Sequence, residues 1–174
     1  NSLYDKKSLR EITGKNADWN EVAKDCVAFS NAQGGVIDYG IEDDADAPPA
    51  DQKVSEDITI NLENKISGKT LNVSAHAEIL THENGGQYIR LHIARGTSSA
   101  STTSGKYFTR VSDNSVPLTG DDITRLSAEK GYYRWEDEES KWSWKDADKE
   151  KLIMLLQNLR NSNRVSDFVK QKED

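Results

Sequence analysis

The sequence predicts an α/β fold (α+β) in which a mixed sheet is layered with helices and a helical extension follows. Three observations support this. Short β-type segments alternate with amphipathic helical ones in the order β-α-β-α-β-β-β-α. Gly-Gly and Asn-Gly pairs separate these segments, as expected for tight connections. Beyond Gly131 tryptophans and charges dominate, so we divide the chain into a domain at residues 1–130 and a Trp-rich linker with helical extension at residues 131–174.

The first half of the chain predicts two strands and two helices. Asp18 followed by Glu21 has the spacing of a reciprocal capping box, and apolar residues then recur at helical spacing. Gly34 and Gly35 favour an end to this helix, and Ser55 favours the start of a second one. In chain order, the strand, helix, strand and helix are predicted at residues 9–13, 19–31, 36–41 and 55–68.

The second half predicts a hairpin, one more strand and a short helix. The hairpin joins residues 71–80 to residues 87–95 through an Asn-Gly turn, and it places His76 and His92 opposite each other. The polar run at residues 96–105 predicts a flexible loop. The strand, the helix and a leucine-rich helix nearer the C-terminus are predicted at residues 106–111, 119–126 and 152–159, with a polar helix around residues 165–169.

Charge argues against a strongly basic nucleic-acid-binding protein. The net charge of the 174 residues is −7, but residues 42–57 hold seven acidic residues and one lysine. The rest of the first 130 residues is therefore close to neutral, which leaves room for a locally basic face. No apolar run has the length of a membrane helix, and the single cysteine, Cys26, excludes an internal disulfide. No signal peptide is visible, and we expect a cytoplasmic protein that does not bind membranes.

Carboxylates form one candidate site. Glu11 lies on the first predicted strand, and Glu42 and Asp43 follow the second, next to Asp38 on that strand. If these strands pair, the carboxylates converge, and such a group binds a divalent cation such as Mg²⁺ or Mn²⁺ in nucleases. The other interpretation of the same residues is a solvated acidic edge. No motif for an organic cofactor is present, so the leading interpretation has none.

Bases interleaved with aromatic residues form the second candidate site. Arg90 and Arg95 are predicted on the same strand as Tyr88, and a strand with two bases and two aromatic residues follows. Such patterns contact phosphates and stack on bases. The candidates for nucleic-acid binding are Lys15, Arg90, Arg95, Lys106, Tyr107 and Arg110.

Two motifs carry a resemblance to a known family. "VAFSNAQGGVIDYGIEDD" (residues 27–44) and "KYFTRVSDNSVPLTGDDITRL" (residues 106–126) resemble the two signatures of the Schlafen-type, AlbA-like domain family, in the right order. The similarity covers about residues 5–130. The matched positions are Ala28, Phe29, Asn31, Gly34, Gly35, Gly40, Ile41, Asp43, Tyr107, Phe108, Arg110 and Val111.

The resemblance implies a DNA-binding domain at the N-terminus of a larger bacterial protein, a transcriptional regulator or an ATP-binding protein. Animal Schlafen proteins of related fold cleave RNA with three carboxylates, two of them glutamates five residues apart. This chain has Glu11 but Lys6 five residues earlier. We therefore expect DNA or RNA binding without catalysis. The alternatives are a metal-dependent endoribonuclease using Glu11, Glu42 and Asp43, or an acidic interaction domain that forms homo-oligomers through residues 131–174.

Overall fold

The structure is a computed structural model that describes residues 3–131 and 148–160. The chain divides into two compact units, Asn1–Arg134 and Trp135–Asp174. The elements of the first unit are β1 Tyr4–Lys7, two 3-10 helices at Leu9–Glu11 and Gly14–Asn16, α1 Trp19–Asn31, β2 Gly35–Tyr39, α2 Glu56–Lys69, β3 Thr70–Leu71, β4 Ala75–Thr81, β5 Gln87–Ile93, β6 Ser101–Thr102, β7 Tyr107–Val111, β8 Asn114–Leu118 and α3 Asp121–Glu129. The second unit contains α4, Lys149–Arg160.

A four-stranded mixed sheet in the order β1-β2-β5-β4 forms the centre of the first unit. β1 runs parallel to β2, whereas β2–β5 and β4–β5 are antiparallel. Two short antiparallel ladders, β3–β6 and β7–β8, accompany this sheet. The mixed sheet and its helices confirm the predicted α+β architecture, and the register sets His76 opposite His92 as expected.

The core lies between α1, α2 and one face of the sheet. α1 begins where Oδ1 of Asp18 accepts the N–H groups of Asn20 and Glu21, each at 3.1 Å. The reciprocal half of the predicted capping box is absent, because the side chain of Glu21 pairs with Lys24 instead. The apolar stripe of α1 packs on β2 and β5, and burying each large apolar side chain contributes about 1.5–3 kcal/mol. The core formed in this way includes Val22, Cys26, Phe29, Ile37, Tyr39, Ile89 and Leu91, all at most 2% exposed.

The turn between α1 and β2 requires glycine. Gly34 has φ +74°, and a Cβ there would lie 2.7 Å from the carbonyl oxygen of Ile93. Glycine alone permits both the left-handed backbone and this close approach of α1 to the end of β5.

Several predicted boundaries are wrong. Residues 9–13 contain a 3-10 helix instead of a strand, because Oγ of Ser8 caps it and the earlier segment Tyr4–Lys7 pairs with β2. Glu11 is therefore not on a strand, and Arg95 lies two residues beyond the end of β5. α2 does not end at Gly68 as predicted but continues to Lys69, because Gly68 keeps a helical backbone and does not adopt a positive φ.

The polar run at residues 96–105 is not a flexible loop. Ala100 is fully buried, and the side chain of Asn31 accepts its N–H at 2.7 Å and donates to its carbonyl at 2.8 Å. Asn31 also donates to the carbonyl of Phe108 at 2.8 Å, so one buried amide joins this run to β7. β8, which the sequence did not predict, pairs with β7 although it contains Pro117, as edge strands permit.

The leucine-rich helix forms as α4 in the second unit. Its apolar residues Leu152, Ile153, Met154, Leu155 and Leu156 are between 41% and 61% exposed. The Trp-rich segment and the predicted helix at residues 165–169 lie outside the described residues, and assembly through residues 131–174 stays a prediction. None of the helices within the described ranges has the length and apolar character to cross a membrane.

Candidate functional site

A charged cluster of Asp5, Lys7, Asp25, Arg110 and Ser115 lies where β1, α1, β7 and β8 meet. The alternation of a strand places Asp5 and Lys7 on the same side of β1. Nζ of Lys7 lies 3.6 Å from Oδ2 of Asp25 and 3.8 Å from Oδ2 of Asp5. Nη2 of Arg110 lies 3.2 Å from Oδ2 of Asp5, and Oγ of Ser115 donates to Oδ1 of Asp25 at 2.7 Å.

Burial makes this charged cluster a structural element. The side chain of Arg110 is 2% exposed, and its guanidinium carbon lies 4.5 Å from the ring centroid of Phe29. Burial opposes the charge on Lys7, but the carboxylates of Asp25 and Asp5 outweigh it and raise the pKa of Lys7. Burial also raises the pKa of Glu11, against the lowering effect of Lys7. The two bases of the charged cluster are therefore engaged inside the protein.

The predicted metal-binding carboxylates do not form a metal site. Oε1 of Glu42 accepts the hydroxyl of Ser8 at 2.9 Å, and Asp43 is exposed. Within residues 3–131 and 148–160, no group of three His, Cys, Asp or Glu residues could hold a metal ion. Glu11 lies near Lys7, whose positive charge lowers the pKa of Glu11 against the larger effect of burial.

Arg90 forms a second internal pair, on the outer face of the sheet. Its Nε and Nη2 each donate to Asp38 at 2.8 Å, and the hydroxyl of Tyr4 donates to the same carboxylate at 3.0 Å. Asp38 is fully buried, so this two-pronged pair compensates its charge. Burial and the neighbouring Asp38 raise the pKa of Tyr4 to about 12.

Hydrogen bonds hold the acidic loop at residues 42–55 against one end of the sheet. The side chain of Gln52 donates to the carbonyls of Gly40 and Gln87, and Nζ of Lys6 donates to the carbonyl of Ala45 at 2.7 Å. The loop leaves from the Tyr39 end of β2, whereas the exposed Arg95 follows the opposite end of β5. The antiparallel register thus separates the acidic loop from Arg95.

A lysine groove of about 470 Å³ runs between the first half of α1 and the segment from β6 to β7. Its bases are Lys24, Lys69 and Lys106. Lys24 pairs with Glu21, and Lys69 donates to Oδ1 of Asn20 at 2.9 Å. The side chain of Lys106 is exposed and makes no ion pair within the described ranges. The remaining lining residues are Asp18, Ala23, Thr102, Thr103, Ser104 and Phe108 together with Asn20 and Glu21.

An aromatic cavity of about 540 Å³ lies beside the lysine groove. The hairpin β7–β8 and the start of α3 enclose it, and Lys106 and Phe108 line both spaces. The other lining residues are Gly105, Tyr107, Pro117, Leu118, Thr119, Gly120 and Ile123. Lys106 thus lies at the boundary between the polar lysine groove and the apolar aromatic cavity.

The six candidate nucleic-acid residues are therefore distributed over several places. Lys106 and Tyr107 lie together at the two spaces just described, and Arg90 and Arg110 have internal carboxylate partners. Lys15 is exposed within the second 3-10 helix. Arg95 is exposed in a separate pocket with Lys130, whose pKa is lowered by burial and by Arg95.

Sequence reasoning missed the charged cluster and two of the three groove lysines. One signal was present: Asp25 falls on the buried stripe of α1, between Val22 and Phe29. An acid at such a position indicates a buried partner. Lys24 and Lys69 carried no comparable signal, because isolated lysines on helices are usually solvated.

Three comparisons relate the chain to known proteins. The family model described as "Schlafen, AlbA_2" matches residues 2–119. A comparison with curated proteins gave no match. Among solved structures, the DIP2311 protein from Corynebacterium diphtheriae has a TM-score of 0.54 at 15% identity, over 91% of this chain and 29% of that chain. The chain thus spans under a third of that protein, and the likeness supports the fold.

Proposed function

The chain belongs to the Schlafen AlbA_2 family, and on that premise we propose that it binds nucleic acid through the lysine groove. The observation that carries the proposal is the position of Lys106, an exposed base without an ion-pair partner in the described part of the chain. Two further lysines and three hydroxyl-bearing residues line the same groove. Lysines and hydroxyls are the side chains that contact phosphate oxygens.

The start of α1 adds to the positive potential of the lysine groove. The aligned peptide dipoles of a helix place a partial positive charge at its N-terminus, and this end lines the groove with Asp18, Asn20, Glu21, Ala23 and Lys24. Asp18 already caps the helix and Glu21 pairs with Lys24, so Lys69 and Lys106 are the bases left to attract phosphate.

The proposal revises the set of phosphate contacts expected from the sequence. Arg90 and Arg110 are held by Asp38 and Asp5, and moving either base to a phosphate would leave a carboxylate without its partner. Lys69 takes their place beside Lys106. In the context of the family, such a module acts as the DNA-binding part of a regulator, and RNA offers the same phosphate chemistry.

The experiment is a fluorescence-anisotropy titration with duplex DNA, single-stranded DNA and tRNA at low and moderate salt. Lys106→Ala is compared with Lys53→Ala, an exposed lysine on the acidic loop whose loss changes the net charge equally. We expect Lys106→Ala to weaken binding about fivefold and to lower the salt slope by about 0.7–0.9, the contribution of one phosphate contact.

Three outcomes contradict the proposal. One is the absence of binding even at low salt, and another is equal weakening by the two lysine substitutions. The third is manganese-dependent cleavage on a denaturing gel of the same samples, which would support the endoribonuclease instead.

A further inference from the structure

The aromatic cavity has the lining chemistry of a site for a planar apolar group. Its volume of about 540 Å³ falls within the range of small-ligand pockets. Tyr107 lies opposite Leu118 in the hairpin, and Ile123 of α3 lines the same cavity. These side chains offer ring and aliphatic surface without an acidic residue among the lining groups.

The rim of the aromatic cavity is open. Gly105 and Gly120 lie on it with φ values of +79° and +53°, and a Cβ at either position would meet nothing within 4 Å. A flat ring can therefore approach Tyr107 past these two positions, where glycine has no side chain and the space around it is open.

Lys106 connects the aromatic cavity to the lysine groove. Lys106 and Phe108 line both spaces. A ligand that carries an anionic group and a ring close together can therefore place the anionic group in the lysine groove and the ring in the aromatic cavity. A nucleotide has this composition, with a phosphate and a base on one sugar. The cation favours an anionic partner over a neutral apolar peptide for this cavity.

We propose that the aromatic cavity receives an unpaired base, so that the chain prefers single-stranded or bulged nucleic acid to a continuous duplex. The inference rests on the proposed function, because it takes the phosphate of the same strand to lie in the lysine groove. In a duplex the bases are stacked on each other, whereas in a single strand each base offers a free face for an aromatic side chain.

The experiment uses the full chain and single strands that carry one fluorescent aminopurine, with a duplex of the same sequence as competitor. Tyr107→Leu keeps an apolar side chain but removes the ring, Tyr107→Phe keeps the ring, and Val111→Ala is the control at the exposed far end of β7. Circular dichroism checks that each variant is folded.

We expect the wild type, Tyr107→Phe and Val111→Ala to bind the single strand more tightly than the duplex and to change the aminopurine fluorescence. Tyr107→Leu should lose about 5- to 150-fold of single-strand affinity, the range measured when a stacking side chain is removed, and leave duplex affinity unchanged.

Two outcomes overturn the inference and leave the proposed function in place. They are equal affinity for single strand and duplex that still depends on Lys106, and an aminopurine signal that Tyr107→Leu retains. Absence of salt-dependent binding to every nucleic acid removes the proposed function and this inference together.

Discussion

Lys106 and Arg110 lie four residues apart on one short segment, yet the fold uses them in opposite ways. Arg110 sits inside the charged cluster with its side chain 2% exposed, over the ring of Phe29 and beside Asp5. Lys106 stands at the exposed start of the same segment, at the junction of the lysine groove and the aromatic cavity. Both bases have Tyr107 and Phe108 close by in the sequence, but their surroundings in the folded protein are different.

This contrast shows what makes a base available to a phosphate. A buried arginine that compensates buried carboxylates cannot leave them without exposing unpaired charge, which costs several kcal/mol. An exposed lysine without a carboxylate partner displaces only solvent and the counterions condensed on the nucleic acid when it meets a phosphate, which is favourable. On the proposed function, a base within a family motif therefore serves folding or binding according to whether a carboxylate of the protein holds it.

The largest effect on stability is expected from a substitution that breaks the charged cluster. Arg110→Ala should lower the free energy of unfolding by about 3 kcal/mol, because it removes the partner of Asp5 and the cation over Phe29. Urea denaturation measures this loss. Lys106→Ala is the matched control and should change stability by less than about 0.5 kcal/mol.

The opposite pattern would contradict the comparison. Arg110→Ala with normal stability and lost nucleic-acid affinity would place Arg110 in the binding surface. The affinity of the folded fraction must therefore be measured beside the denaturation curve.

A smaller effect is expected from a substitution that removes an acidic residue from the lysine groove. Glu21→Gln removes a negative charge from the groove and frees Lys24, so nucleic-acid affinity should rise about two- to fivefold at low salt. Stability should fall by about 0.3–1 kcal/mol, because an acid leaves the first turn of α1. Anisotropy titration compares it with Glu83→Gln, an exposed acid in the β4–β5 turn. An equal gain in both variants would mean that only net charge matters.

The smallest effect concerns Glu11 at the edge of the charged cluster. Burial raises the pKa of Glu11 above its unfolded value, so the folded state holds this proton more tightly. The stabilisation is complete below the unfolded pKa and is lost as the pH rises through the folded pKa. Glu11→Gln should thus be at least as stable as the wild type at neutral pH and lose this advantage in mild acid.

Urea denaturation at neutral and mildly acidic pH measures this difference, with Glu83→Gln as the control. A variant that is less stable than the wild type only at neutral pH would show that the attraction between Glu11 and the charge of Lys7 outweighs burial at Glu11.

Local patterns predicted much of the fold. The helix from Trp19 to Asn31 has both an Asp18 cap and an apolar stripe, and the β4–β5 hairpin has an Asn-Gly turn between alternating residues. Each of these signals acts between neighbours in the chain, so the sequence displays it directly. The family motifs were likewise readable, and the family model confirms them.

The ordered conformation of residues 96–105 and the pairing of β8 with β7 could not be predicted in this way. Asn31 reaches Ala100 across 69 positions, and Ser115 reaches Asp25 across 90. A polar run looks flexible until a buried side chain supplies its hydrogen bonds. The partner lies far away in the chain, so no local pattern contains it.

The sequence by itself determined the helices, the hairpin, the mixed α+β class and the family. Only the tertiary structure decided which bases are engaged, because a counterion such as Asp5 for Arg110 or Asp38 for Arg90 comes from another strand. It also brought Lys24, Lys69 and Lys106 to one groove from two helices and a strand edge. Electrostatic interactions depend on distance through space, and the chain order does not specify that distance until the core has packed.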